Sequence, residues 1–165
     1  MLGMSFSRFP VKALLVFSLT LPAAADFEAG LRAYQNKDYA TAVKEWRPLA
    51  ESGSPDAQFN LALMYLDGSG VVKNEQEAVL WFRRAADQGQ AKAQKNLGNL
   101  YATGIGVRRD NVNAHMWLNL CAASGDATCV AQRDQLANKM KKKDLAEAQR
   151  RATAWKAIPE QPAKP

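Results

Sequence analysis

Residues Ala57–Gly89 read AQFNLALMYLDGSGVVKNEQEAVLWFRRAADQG, and residues Ala93–Gly125 read AQKNLGNLYATGIGVRRDNVNAHMWLNLCAASG. The second stretch repeats the first at a constant displacement of 36 residues. Ala57, Leu61, Tyr65, Gly68 and Gly70 return as Ala93, Leu97, Tyr101, Gly104 and Gly106. Ala78, Trp81, Ala86 and Gly89 return as Ala114, Trp117, Ala122 and Gly125. Small and aromatic identities kept at one period of this length mark a repeat architecture.

Each copy reads as two helices. Ala57, Leu61 and Tyr65 are four residues apart and share one helical face. Gly68 and Gly70 then end that helix and turn the chain. Asn74, three residues before Glu77, has the pattern of an N-cap with a capping-box partner. Ala78, Trp81, Phe82, Ala85 and Ala86 continue a second helix on the 3, 4, 7, 8 spacing, and Gly89 closes it. One such hairpin cannot bury its apolar face alone. The expected fold class is therefore all-α, an α-solenoid of about four stacked helix–turn–helix hairpins in a right-handed superhelix.

Working outward from these two copies, residues 26–53 read as an earlier and shorter repeat. Asp26 caps a helix carrying Gly30, Leu31, Ala33 and Tyr34, Asn36–Asp38 makes the turn, and Tyr39, Ala42, Trp46, Leu49 and Ala50 form the second helix. Ala42, Ala50 and Gly53 lie 36 residues before Ala78, Ala86 and Gly89, but the inter-helix loop is about four residues shorter. Ser54 and Pro55 suit an N-cap and a first helical residue. The resulting repeats are about 26–53, 54–89 and 90–125. Beyond Gly125 the pattern fades into two charged helical stretches, expected to make a capping hairpin over 126–157, since an end unit must show water a polar face. Residues 158–165 hold three prolines and are expected to form an extended, mobile tail.

The chain begins with Arg8 and Lys12, an apolar stretch of nine residues from Ala13 to Leu21, and Pro22 before three alanines. That is the pattern of a secretory signal peptide over residues 1–25, cleaved near Ala25. Nine residues fall far short of the roughly 20 that a spanning helix needs. The expected location is periplasmic or secreted, with no integral membrane segment after cleavage. Removing Arg8 and Lys12 lowers the formal net charge from +6 to +4. Export and the lack of a dense basic stripe argue against a nucleic-acid partner. The cluster Lys139, Lys141, Lys142 and Lys143 reads first as a solvated helix end and second as a contact for an acidic envelope surface.

Nothing in the sequence assembles a catalytic set. His115 is the one histidine and sits beside the packing positions Ala114 and Trp117. No G-x-S-x-G turn, S-x-x-K pair or Walker loop occurs. The G-x-G pairs lack a preceding strand and read as turns. Two cysteines without a histidine ligand nearby do not make a zinc site, and neither metal nor cofactor is expected. Cys121 and Cys129 lie eight residues apart across the Gly125 turn, where two antiparallel helices can bring them within disulfide reach; buried free thiols are the other reading.

The A-xxx-LG-xx-Y-xxG-x-GV core, the following A-xx-W and the closing AA-xx-G resemble the Sel-one-like repeats, relatives of the tetratricopeptide repeats. Residues 93–125 fit this pattern through Ala93, Leu97, Gly98, Tyr101, Gly104, Gly106, Val107, Ala114, Trp117, Ala122, Ala123 and Gly125, whereas the first copy has Ala62 where the family prefers glycine. The resemblance implies an interaction scaffold without chemistry of its own, and the cysteine spacing is similar to the staple of the cysteine-rich secreted branch. It also implies a concave groove lined by the first helix of each hairpin. With Gly30, Ala62 and Gly98 placed as equivalent, the groove residues are Phe27, Leu31 and Tyr34, then Phe59, Leu63 and Leu66, then Lys95, Asn99 and Thr103. Two apolar sets followed by a polar one suit an amphipathic helix or an extended peptide. The expected partner is a protein or peptide of the cell envelope; a homodimer using the apolar sets, or packing of Phe27 and Leu31 on the chain end, are the competing uses. The alternative function is an envelope enzyme or accessory acting on peptidoglycan or another glycan through Asp, Glu and Tyr on the groove. Serine at Phe59 and Leu63 is expected to preserve helix content while abolishing partner binding.

Overall fold

The structure, a computed structural model, describes residues 25–159. The expected signal peptide, apart from Ala25, and the last six residues of the expected tail lie outside them. The described residues form eight helices and no strand: α1 Phe27–Gln35, α2 Tyr39–Glu51, α3 Pro55–Asp67, α4 Glu75–Asp87, α5 Ala91–Thr103, α6 Asn111–Ala122, α7 Ala127–Ala137 and α8 Lys142–Ala154. Each of the first seven packs on its neighbour in sequence, so α1/α2, α3/α4 and α5/α6 are three stacked hairpins of an α-solenoid. No helix of the described residues is long and apolar enough to cross a membrane.

The helix starts follow from local chemistry. Asp26, Asp38, Ser54, Asn74, Gln90, Asp110 and Asp126 each accept a backbone N–H of the first turn with the side chain. At Asn74 only half of the expected capping box forms. Its side chain accepts from Glu77, but its own N–H donates to the Tyr65 carbonyl at 2.9 Å. Asp110 does the same to Tyr101 at 2.9 Å, so this bond closes the seven-residue loop in both copies.

The G-x-G loops do more than turn the chain. Gly70 and Gly106 have φ of 71° and 66°, in the left-handed region that favours glycine. They also press on the preceding hairpin. A Cβ on Gly70 would lie 2.6 Å from the Tyr39 carbonyl oxygen, and one on Gly106 would overlap the Glu75 carbonyl. The longer loop is thus part of the stacking interface.

The core runs along the axis through Trp46, Leu61, Phe82, Leu97 and Trp117, all almost wholly buried, with alanines between them. Small residues decide how closely the helices approach. A Cβ on Gly30 would run into the Trp46 indole, and one on Gly98 would lie 2.9 Å from Leu118 Cγ. At the equivalent position Ala62 is fully buried, so the first copy accommodates the methyl that the second does not.

The C-terminal end departs from the expected arrangement. The capping hairpin of 126–157 is not two helices packed on each other: α7 and α8 both take α6 as their main neighbour. α7 buries one residue, Cys129, whereas α8 lays Ala148 and Ala152 against the body and sets Trp155 edge-on to Trp117, with ring centroids 6.4 Å apart. The tail also begins docked rather than free, since the Ile158 N–H donates to the Asp87 carbonyl at 2.8 Å.

Candidate functional site

Side-chain ties between successive hairpins hold the first helices in place. Between hairpins, Arg47 of α2 donates to the Tyr65 hydroxyl of α3 at 3.1 Å, and Arg83 of α4 donates to Tyr101 of α5. Each guanidinium also stands over its tyrosine ring, at 5.8 and 5.6 Å from the centroid. Below them, the buried amides of Gln58 and Gln94 donate to the carbonyls of Ala50 and Ala86, at 3.0 and 3.3 Å. Both devices recur at the 36-residue period. Neither was recognised as an inter-helix tie in the sequence, although Arg47/Arg83 and Gln58/Gln94 carry the period; only the fold shows that each side chain reaches the next hairpin.

The nine expected groove residues divide into three kinds. Phe27 and Tyr34 pack on Trp46 of their own hairpin, with centroids 5.9 and 5.7 Å away, and Trp46 Nε1 donates to the Phe27 carbonyl. Phe59 packs on the buried Phe82 at 5.7 Å. Leu31, Leu63 and Leu66 are half-buried against the core and keep part of their surface open. In the last set, Lys95 bridges to Asp126 at the start of α7 with Nζ–O 3.2 Å, and Thr103 returns its hydroxyl to the Asn99 carbonyl at 2.9 Å. Asn99 lines a hollow of about 240 Å³ between α5, α6 and α7. The neighbour that lines it with Asn99 is Ala102, the position 36 residues after Leu66, rather than the exposed Thr103.

Cys121 and Cys129 are joined by a disulfide with Cα–Cα 5.8 Å, and both side chains are fully buried. The N-cap Asp126 lies between them in sequence. Its carboxyl sits below the usual range because it accepts the Cys129 N–H and the Lys95 ammonium. The ligand atoms of Cys121, Asp126 and Cys129 come within 4.8 Å of one another, but both sulfurs are committed to the disulfide.

Burial dominates the shift of two further groups. His115 is 2 % exposed and its Nδ1 has no partner among the described residues; burial first, and then the nearby Arg133 guanidinium, hold its pKa below the ordinary value, with Asp134 opposing. It is a packing residue facing α7. Burial raises the Asp87 carboxyl, partly offset by Arg83, beside a polar hollow of about 440 Å³ shared with Arg84, Gln58 and Ile158.

The Sel1 repeat family model matches residues 55–90 and 91–126. No curated protein matches the chain. Among solved structures, it is similar to c5321, a protective antigen present in uropathogenic Escherichia coli strains displaying an SLR fold: 33% identity and a TM-score of 0.73 over 76% of this chain and 28% of that one. It is also similar to a Sel1 repeat protein from Oxalobacter formigenes, at 30% identity and a TM-score of 0.66 over 79% of this chain and 56% of that one. The chain spans less than two thirds of either relative's length. The chain thus carries two tandem Sel1 repeats, and the loop glycines, the Arg–Tyr ties and the buried glutamines recur in both.

Proposed function

We propose that this chain is an exported scaffold that holds a protein or peptide of the cell envelope against the first helices of its hairpins. Sel1 repeat proteins are in general protein–protein interaction scaffolds. One observation carries the reading for this chain. Hairpins α3/α4 and α5/α6 keep their packing residues at the period, yet Phe59, Leu63 and Leu66 become Lys95, Asn99 and Ala102 on equivalent positions. A framework held constant beneath a varied surface is the arrangement by which repeat proteins distinguish partners. The disulfide supports export, because such bonds persist in oxidising compartments.

The test is affinity capture from an envelope extract with the mature chain beside a Leu63→Asp/Leu66→Asp variant. These leucines serve better than Phe59, whose ring supports the buried Phe82. A polypeptide recovered by the wild type and lost by a variant of unchanged circular dichroism supports the groove. Equal recovery by both proteins, or recovery of glycan fragments alone, overturns it.

A further inference from the structure

The lysine cluster of the C-terminal end acquires new company in the fold. Arg109, 30 residues before Lys139, is brought beside it. Arg109 and Lys139 form the saddle between two adjoining hollows. The larger, about 510 Å³, runs from the start of α6 to the start of α8 and ends on Lys141. The smaller is the hollow of about 240 Å³ that holds Asn99, floored by Leu118 and Leu136. Arg108 precedes the saddle in sequence, and Lys142 and Lys143 follow Lys141.

The charge here is not balanced from within. Among the described residues none of these six cations is in a salt bridge, whereas Arg32, Lys73, Lys95, Arg133, Arg150 and Arg151 each have a carboxylate. Two acids stand nearby. Asp110 is occupied in capping α6 through the N–H groups of Val112 and Asn113. Asp144 is the one carboxylate lining either of the two hollows.

We infer that the Arg109–Lys139 saddle is the docking site for an acidic segment of a polypeptide, with carboxylates over the saddle and an apolar side chain entering the smaller hollow. Carboxylates meet guanidinium and ammonium groups that have no acidic partner among the described residues, the Arg109 Nε–H reaching only Asn111 Oδ1 at 3.5 Å. Leu118 and Leu136 supply an apolar floor that a bare anion would not use. This rests on the scaffold reading above and specifies the chemistry of the partner at the C-terminal end of the surface.

The probe is a fluorescein-labelled ten-residue peptide of alternating Glu and Leu, beside its Gln/Leu counterpart and inorganic phosphate as competitor, with the mature chain in anisotropy titrations. Arg109 and Lys139 are both exposed, so Arg109→Glu/Lys139→Glu should keep the wild-type circular dichroism. That variant should weaken the Glu/Leu peptide at least about tenfold, and raising salt from 50 to 200 mM should weaken the wild type as well. Lys44→Glu/Lys92→Glu, with the same change of net charge at exposed positions elsewhere, should stay within about twofold. Equal weakening by both variants, equal binding of the Gln/Leu peptide, or displacement by millimolar phosphate as effective as by unlabelled peptide would overturn the assignment. Envelope capture that survives Arg109→Glu/Lys139→Glu sinks this site and leaves the scaffold standing; saddle-dependent peptide binding without any captured polypeptide does the reverse.

Discussion

Hairpins α3/α4 and α5/α6 are built by repetition, whereas α7 and α8 are attached by individual fasteners. In the repeats, every interface uses the same parts: a loop glycine pressed on the previous carbonyl, an Arg–Tyr tie and a buried glutamine. At the C-terminal end those parts are missing. Position 119, the 36-residue successor of Arg83, is an asparagine, and position 137, the successor of Tyr101, is an alanine. α7 is held instead by the Cys121–Cys129 bridge and the Lys95–Asp126 pair, and α8 by Trp155, Ala148 and Ala152 against α6. A periodic interface spreads its stability over many small contacts. A terminal helix has a neighbour on one side only and depends on a few.

The most severe way to break both regions at once is Trp117→Ala. This indole is buried between the second repeat and α8, where it meets Trp155. It should cost about 4 kcal/mol, read from the urea midpoint, with loss of the slowest-exchanging amides in α5, α6 and α8 together. A change confined to α8 would show that the end is an independent unit.

Gly106→Ala and Gly125→Ala separate the two kinds of junction. Both residues have positive φ, but an added methyl at Gly106 meets Glu75, while at Gly125 nothing among the described residues lies within 4 Å. The first should destabilise by about 3 kcal/mol and the second by about 1, the backbone cost alone. Equal costs would mean that the loop-to-hairpin contact does not support the stack.

Removing the disulfide tests the fasteners. Cys121→Ser/Cys129→Ser should lower stability by about 2.5 kcal/mol on the chain-entropy account of so short a loop. Hydrogen exchange should accelerate in α7 and leave α3 and α4 protected. Uniform acceleration would place the bridge in the cooperative core.

The smallest effect is a pH dependence. Because the folded state depresses the His115 pKa, the unfolded chain takes up the proton first as pH falls through about 6.5. His115 therefore makes stability decline as the pH falls below about 6.5, until the folded-state value is passed. His115→Gln should flatten this part of the profile in thermal melts; an unchanged slope would assign it to another group.

Much of this was legible in the sequence because it is local or periodic. Ser54 and Pro55 start α3 as their chemistry requires, Asn36–Asp38 makes the first turn, and Trp46, Phe82 and Trp117 are buried where helical spacing places them. Of the residues expected to line the groove, Phe27, Tyr34 and Phe59 spend much of their surface on rings of the same hairpin. Beside Asn99 the hollow is lined by Ala102, which the 36-residue period already pairs with Leu66, rather than by Thr103. A residue's register on its own helix does not say which neighbour covers it.

By itself, the sequence determined the all-α class, the 36-residue unit and most helix ends, because each depends on spacing within about one repeat; it left the cysteines as a bridge or as buried thiols, which the structure joins. The tertiary structure alone decided that Gly70 and Gly106 bear on the previous hairpin, that α8 joins α6 rather than α7, and that Arg109 meets Lys139. Those outcomes depend on how stacked helices divide the space between them, and that is set by the whole packed array rather than by any stretch within it.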